Sequence, residues 1–288
     1  MGFRIQKLLS NMKVMSAFQR TLTYIVLIAA LILIMFPLVW MVSASLKPNS
    51  QIFTYPPKWI PWPPLLSNYP SGLETLKFGV GLRNTLLITI PCVIGQVFSC
   101  SLVGYGLARF RFRGRDAIFV LVLATMMLPS QVTFIPTYII FSRLGLVDTF
   151  WPFWLPAWAA TSGFNIFLLR QFFQAISTEI EDAARIDGAS EFDIYWRIIL
   201  PLSKPALTAV ALFAFVAYWN DFFGPLIYLP SESNKTLQLL LMRFRTTYTT
   251  DWGPMMAAQV VISLVPLLIF FFAQRQFIQG VVFTGIKE

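Results

Sequence analysis

The sequence predicts an all-α, polytopic membrane protein with six transmembrane helices and one helical hairpin exposed in the cytoplasm. Three observations carry this. Of 288 residues, 57% come from the set AVILMFWYC and only 12% are charged, against about 25% charged in a soluble domain. Uncharged stretches recur along the chain, long enough to cross a hydrocarbon core of about 30 Å with roughly 20 residues each. Basic residues gather in alternate connections, as the positive-inside rule requires.

Residues 1–20 form a basic N-terminal segment with Arg4, Lys7, Lys13 and Arg20. Residues 21–288 form one transmembrane domain, with spans at about 21–45, 83–108, 117–142, 149–171, 205–229 and 253–274. The first span is too long for a signal peptide, and no small-residue cleavage site precedes Lys47. Pro37, Pro91, Pro129, Pro136, Pro156, Pro225 and Pro266 lie inside these spans. Lipid tolerates them where neighbours satisfy the freed carbonyls.

Two connections read as external. Residues 44–79 hold the run from Tyr55 to Pro64, whose prolines exclude a helix and whose Trp and Tyr suit a headgroup interface. Residues 229–254 carry Glu232, Lys235, Arg243, Arg245 and Asp251. An even number of spans puts both termini on one side, with Arg109, Arg111, Arg113 and Arg115 in a very short connection beside them. Arg170, Arg185, Arg197, Lys204, Arg275 and Lys287 join that side, which is therefore cytoplasmic. The net charge of +9 belongs to these loops and not to nucleic-acid binding.

The composition argues against an enzyme. His is absent, which removes the commonest general base and metal ligand. Cys92 and Cys100 would lie about 12 Å apart along one helix, too far to bridge. No Gly-x-x-x-x-Gly-Lys-Ser/Thr phosphate loop occurs.

The longest cytoplasmic connection holds a hairpin at 178–200. Thr178 and Glu181 have the spacing of a capping box, and Ser190 with Asp193 repeats the start signal. Gly188 between them suits a left-handed helix end, and Pro201 disfavours helix at Leu200. Phe192, Tyr195, Trp196 and Ile199 would share one face. Ala183 and Ala184 allow close approach beside Glu181, Asp182 and Asp187, so the hairpin is a candidate docking surface.

This segment resembles the signature loop of ABC importer permeases: Glu-Ala-Ala, then Gly, then Ile-x-Leu-Pro. Here it reads Asp182-Ala183-Ala184, Gly188, Ile198 and Leu200-Pro201, with every spacing kept. Asp182 stands where Glu is usual, and Glu181 beside it is either a substitute carboxylate or the helix cap. The stretch Trp219-Asn220-Asp221-Phe222-Phe223-Gly224-Pro225-Leu226 and the ending from Gln274 to Gly280, then Gly285-Ile286-Lys287, also resemble carbohydrate importer permeases of the maltose type.

The resemblance implies the six-span permease of a binding-protein-dependent importer in the bacterial cytoplasmic membrane. Its implied partners are a second permease in a heterodimer, two ATP-binding subunits and an extracytoplasmic substrate-binding protein, with the lipid bilayer around them and no nucleic acid. The hairpin would be the coupling helix seated in an ATPase. ATP and Mg would be held by that ATPase, and this chain would bind no cofactor itself. The 229–254 loop would face the binding protein.

Asp221 is the one charge away from the ends of a span, with Asn220 and Trp219 beside it; an intramembrane carboxylate is a functional candidate. Its other reading is a brace for the break near Gly224-Pro225. Asn165 is a further candidate on the substrate path. The expected solute is a neutral sugar or oligosaccharide, with glycerol phosphate or another small polar solute as the alternative. A homo-oligomeric channel would explain the spans but not the hairpin.

Overall fold

The computed structural model describes residues 17–245 and 250–285. Arg4, Lys7, Lys13 and Lys287 of the expected cytoplasmic set lie outside them, as do Ile286 and residues 246–249 of the second external loop. The chain divides into two units, Met1–Gly72 with Thr250–Val260, and Leu73–Thr249 with Val261–Glu288.

In the first unit, α1 (Ala17–Ser45) exposes large apolar side chains from Leu22 to Val39 around its whole circumference. That is the pattern of a helix solvated by lipid. α2 (Asn49–Ile52) and α3 (Asn68–Thr75) flank the Pro-rich run, which is non-helical as expected. Asn68 Nδ2 donates to the carbonyls of Ser45 and Lys47, each at 2.9 Å. Asn49 accepts from the N–H of Gly253 at 2.8 Å, near the start of α13 (Trp252–Gly285). Gly72 is required by proximity, because an added Cβ would stand 2.4 Å from the Pro254 carbonyl oxygen.

In the second unit, α4 (Phe78–Arg109) is the central helix. It starts five residues before the expected boundary at 83. Small side chains let neighbours approach: an added Cβ at Gly95 would meet the Trp158 ring at 2.5 Å.

Three expected spans are single helices long and apolar enough to cross a membrane: Thr21–Ser45, Phe78–Arg109 and Trp252–Gln274. The residues expected as the other three spans each carry two shorter helices. Residues 117–142 fall in α5 (Arg115–Thr125) and α6 (Ser130–Arg143). Residues 149–171 fall in α7 (Trp151–Trp158) and α8 (Gly163–Ala175). Residues 205–229 fall in α11 (Lys204–Trp219) and α12 (Phe223–Tyr228), preceded by α10 (Glu191–Leu202).

Each break has a local cause. Pro129 restricts Leu128 and stands at the N-cap of α6. Ala160 takes a left-handed φ of 54°, and Ser162 then caps α8 by accepting from the N–H of Asn165 at 3.5 Å. Asp221 accepts from the N–H of Gly224 at 3.1 Å and starts α12.

One buried cluster joins Cys100, Tyr105 and Leu107 of α4, Ile166, Leu169 and Phe173 of α8, Ile194, Tyr195 and Ile199 of α10, and Ala206 and Val210 of α11. Cys92 and Cys100 are both buried free thiols.

Candidate functional site

The hairpin begins at α9 (Thr178–Ile186). Its N-cap is Ser177, whose hydroxyl accepts from the N–H of Glu179 at 3.3 Å. The expected capping box of Thr178 and Glu181 is not made. Glu181 is only 1% exposed and turns inward, its carboxylate 2.6 Å from Arg109 Nε. A carboxylate drawn into an ion pair with α4 cannot also reach back to the helix start.

α9 ends in a Schellman motif. The Gly188 N–H donates to the Arg185 carbonyl at 3.1 Å, and the Ala189 N–H to the Ala184 carbonyl at 2.9 Å. Gly188 has φ of 86°, the left-handed conformation expected of it. An added Cβ there meets nothing within 4 Å, so the demand for Gly is conformational and not spatial.

α10 starts as expected, with Ser190 accepting from the N–H of Asp193 at 3.1 Å. Two expectations about it are corrected. Pro201 does not end the helix at Leu200: the chain stays helical through Leu202 and breaks at Ser203, followed by a bend of 78° into α11. The wider π-helical winding of Ile194–Ile199 just before the proline accommodates its ring and missing N–H. That winding also divides the expected apolar face. Ile194, Tyr195 and Ile199 are buried, whereas Phe192 and Trp196 are 67% and 52% exposed and stack with centroids 6.2 Å apart.

Arg185 ties the two halves together. Its Nε lies 2.7 Å from Glu191, its Nη1 2.7 Å from Asp182 and its Nη2 3.5 Å from Glu181. The Glu191 hydrogen bond, with the other carboxylates, raises the already high pKa of Arg185, and Arg185 in turn lowers that of Glu191. Burial pushes the Glu181 carboxyl up, against the opposing pull of Arg109 and Arg185.

Two further bonds fasten the hairpin to α4 and α8. Arg109 Nη2 donates to the Ile176 carbonyl at 2.8 Å, and the hydroxyls of Ser101 and Tyr195 meet at 2.6 Å. The inner side of the hairpin is thus a rigid attachment to the spans. Its outer side presents Asp182, Ala183, Asp187, Gly188 and Pro201 with Ile180, Ile186, Phe192 and Trp196. Ala184, Ile198 and Leu200 are half-buried and pack against the buried cluster.

Sequence reading missed several of these residues. The Arg-rich connection points to a solvated loop, yet the Arg109 side chain is almost wholly buried. The contact of Arg185 with Asp182 and Glu181 follows helix spacing and was open to detection. The pairing of Glu181 with Arg109 joins distant parts of the chain and left no local signal.

The expected substrate-path residues fall into two places. Trp219, Asn220 and Asp221 share the break between α11 and α12. Trp219 is 1% exposed, stacks on Phe215, and its indole N–H has no partner among the described residues. Asn220 donates to the Val216 carbonyl at 3.0 Å and accepts from Gln238 at 3.3 Å. Asp221 is engaged as the cap already described. Asn165 sits in the first turn of α8, buried, with its carboxamide oxygen unpartnered among the described residues.

The second external loop is held by its own polar bonds. Asn84 Nδ2 donates to the carbonyls of Ser233 and Lys235 at 2.7 and 3.0 Å, and Glu232 pairs with both Lys235 and Arg243.

Residues 101–282 match the family described as binding-protein-dependent transport system inner membrane component. The chain is 34% identical over 268 residues to the sn-glycerol-3-phosphate transport system permease protein UgpE of Yersinia pestis, covering 90% of this chain and 94% of that protein. It is 32% identical over 257 residues to the lactose transport system permease protein LacG of Rhizobium radiobacter, covering 89% and 93%. Among solved structures, a bacterial ABC transporter that imports the acidic polysaccharide alginate shares the fold, with a TM-score of 0.77, 24% identity, and coverage of 92% and 99%. The matched region contains the whole hairpin and helices α5 to α12. The chain belongs to the binding-protein-dependent transport system inner membrane component family, as a permease subunit of an ABC importer and not an enzyme.

Proposed function

We propose that this permease carries a neutral sugar or oligosaccharide inward across the bacterial cytoplasmic membrane, and that the hairpin 178–200 couples that movement to ATP. The observation that carries the coupling role is the two-sided construction of the hairpin. Its inner side is locked to α4 by the buried Arg109–Glu181 pair, and its outer side is left open, with Ile180, Ile186, Phe192 and Trp196 exposed beside Asp182 and Asp187. A lever needs one face fixed to what it moves and one free for what moves it. The outer face would seat in a groove of an ATP-binding subunit, where ATP and Mg are held. ATP-driven closure of two such subunits would tilt the hairpin and, through it, α4, α8 and α11. The gain comes only from contacts that differ between the two states.

In this reading all six segments cross the membrane, three of them as broken helices, and both termini are cytoplasmic. A second permease completes the pore, and an extracytoplasmic binding protein delivers the solute to the side of the 229–254 loop. Aromatic faces beside Asn220 and Asp221 suit sugar hydroxyls and C–H faces. The similarity to a glycerol-phosphate permease favours a second reading, import of that anion. No basic residue lies inside the fifth span to meet a phosphate, which supports the sugar.

The test is uptake in proteoliposomes holding the permease pair, its ATPase and its binding protein. Labelled sugars should be accumulated with ATP, and sn-glycerol-3-phosphate should neither be accumulated nor compete. Accumulation of the phosphate ester alone would transfer the assignment to the second reading.

A further inference from the structure

Arg109, Arg111, Arg113 and Arg115 alternate with Phe110, Phe112 and Gly114 between α4 and α5. The four guanidiniums have different surroundings. Arg109 is buried against Glu181, and Arg115 pairs with Asp116 at 3.0 Å. Arg111 and Arg113 are exposed and have no ion-pair or hydrogen-bond partner among the described residues. Phe110 and Phe112, on either side of Arg111, are 41% and 47% exposed. Free cations interleaved with open aromatic rings fit the boundary between hydrocarbon and headgroups.

Gly114, with φ of 88°, turns the chain into α5. At that turn opens a cavity of about 300 Å³, lined by Arg111, Phe112, Gly114, Arg115, Asp116 and Ala117. The positive end of the α5 dipole points the same way. Beyond the cavity α5 buries no residue and exposes Ile118, Val120 and Leu121, an apolar strip continuous with the basic mouth.

We propose that this loop is a binding site for an anionic phospholipid. Its phosphate would be held by Arg111, Arg113 and Arg115, and an acyl chain would lie along Ile118 and Leu121. Three guanidiniums against the single Asp116 carboxylate leave the site net positive, and the apolar strip selects a lipid over a free phosphate. Arg matches phosphate with two parallel hydrogen bonds, so the site has geometry as well as charge. The proposal needs only the membrane location that family membership gives, and it stands or falls separately from the coupling role of the hairpin.

The test is lipid retention by the purified complex in nanodiscs of phosphatidylcholine and phosphatidylglycerol, read by native mass spectrometry. Phosphatidylglycerol should be enriched on the complex, and Arg111→Gln with Arg113→Gln should lower the enrichment roughly tenfold. Arg143→Gln, at the end of α6, should leave it unchanged. If the double variant inserts poorly, Arg111→Lys with Arg113→Lys keeps the charge and should still weaken retention through loss of the paired hydrogen bonds. Equal retention of the two lipids by the wild type, undiminished enrichment in both double variants, or an equal loss from Arg143→Gln would overturn the site. So would displacement of the lipid by millimolar inorganic phosphate.

Discussion

Arg109, the last residue of α4, and Glu181, in α9, meet at 2.6 Å with side chains only 6% and 2% exposed. A buried pair is not in itself a strong source of stability, but removal of one partner strands the other charge, at about 3–5 kcal/mol. Glu181→Ala should therefore destabilise the purified permease by that order. Arg109→Met combined with Glu181→Leu should recover much of the loss, because a packed apolar pair has no charge to strand. Thermal unfolding in detergent measures both. A double variant as unstable as the single one would show that the charges are needed for more than mutual compensation.

Phe192 and Trp196 separate docking from folding. Both are exposed and stack on each other without entering the buried cluster. Phe192→Ala with Trp196→Ala should change stability by no more than about 0.5 kcal/mol each. The same variant should release the ATP-binding subunit on mild-detergent purification. Ile199→Ala is the contrast: that side chain is fully buried, and its truncation should cost about 2–5 kcal/mol.

Much of this hairpin was legible in the sequence, and the reason is local chemistry. Gly188 announces a left-handed turn and Ser190 a helix start, and both are realised within a few residues of themselves. The three long apolar helices were legible for a similar reason, since freedom from charge over a membrane's width is a one-dimensional property. The breaks at Leu128–Pro129, Ala160 and Asp221 were less so, because proline inside a span can kink or interrupt it and tertiary neighbours decide. The π-helical turn at Ile194–Ile199 followed no periodic signal, and it re-sorted an apolar face that a regular helix would have kept together. The buried role of Arg109 was masked by its neighbours Arg111 and Arg113, whose composition pointed to a surface loop.

Asp221 has two functions to separate, cap and ligand. Asn caps as well as Asp, through the same side-chain oxygen. Asp221→Asn should leave thermal stability within about 0.5 kcal/mol and lower the uptake rate of the solute. Asp221→Ala should also lose the cap, at about 0.5–2 kcal/mol. Unchanged uptake in the Asn variant would leave Asp221 as a brace for α12 alone.

The Arg185–Glu191 contact has a pH signature. Arg185 holds the Glu191 carboxyl below the usual range near pH 4.3. Its contribution to stability is therefore present above that range and lost as pH falls through the lowered value. Hydrogen-exchange protection across 178–200, taken relative to the intrinsic amide rate at each pH, should be high at neutral pH and fall as the sample is acidified below about pH 4. Glu191→Gln should remove the acid dependence that belongs to this pair. Wild-type and Gln variants with the same acid profile would assign it elsewhere.

The central claim is that the Gly188 turn makes the hairpin a coupling element, and Gly188→Pro tests it most directly. Proline cannot adopt φ of 86° and has no N–H to give to the Arg185 carbonyl. The measurement is substrate-stimulated ATP hydrolysis and uptake by the reconstituted complex, with the abundance of the variant in the membrane determined alongside. The account predicts normal insertion, with stimulation and uptake both lost. Normal uptake by the variant at normal abundance would contradict it.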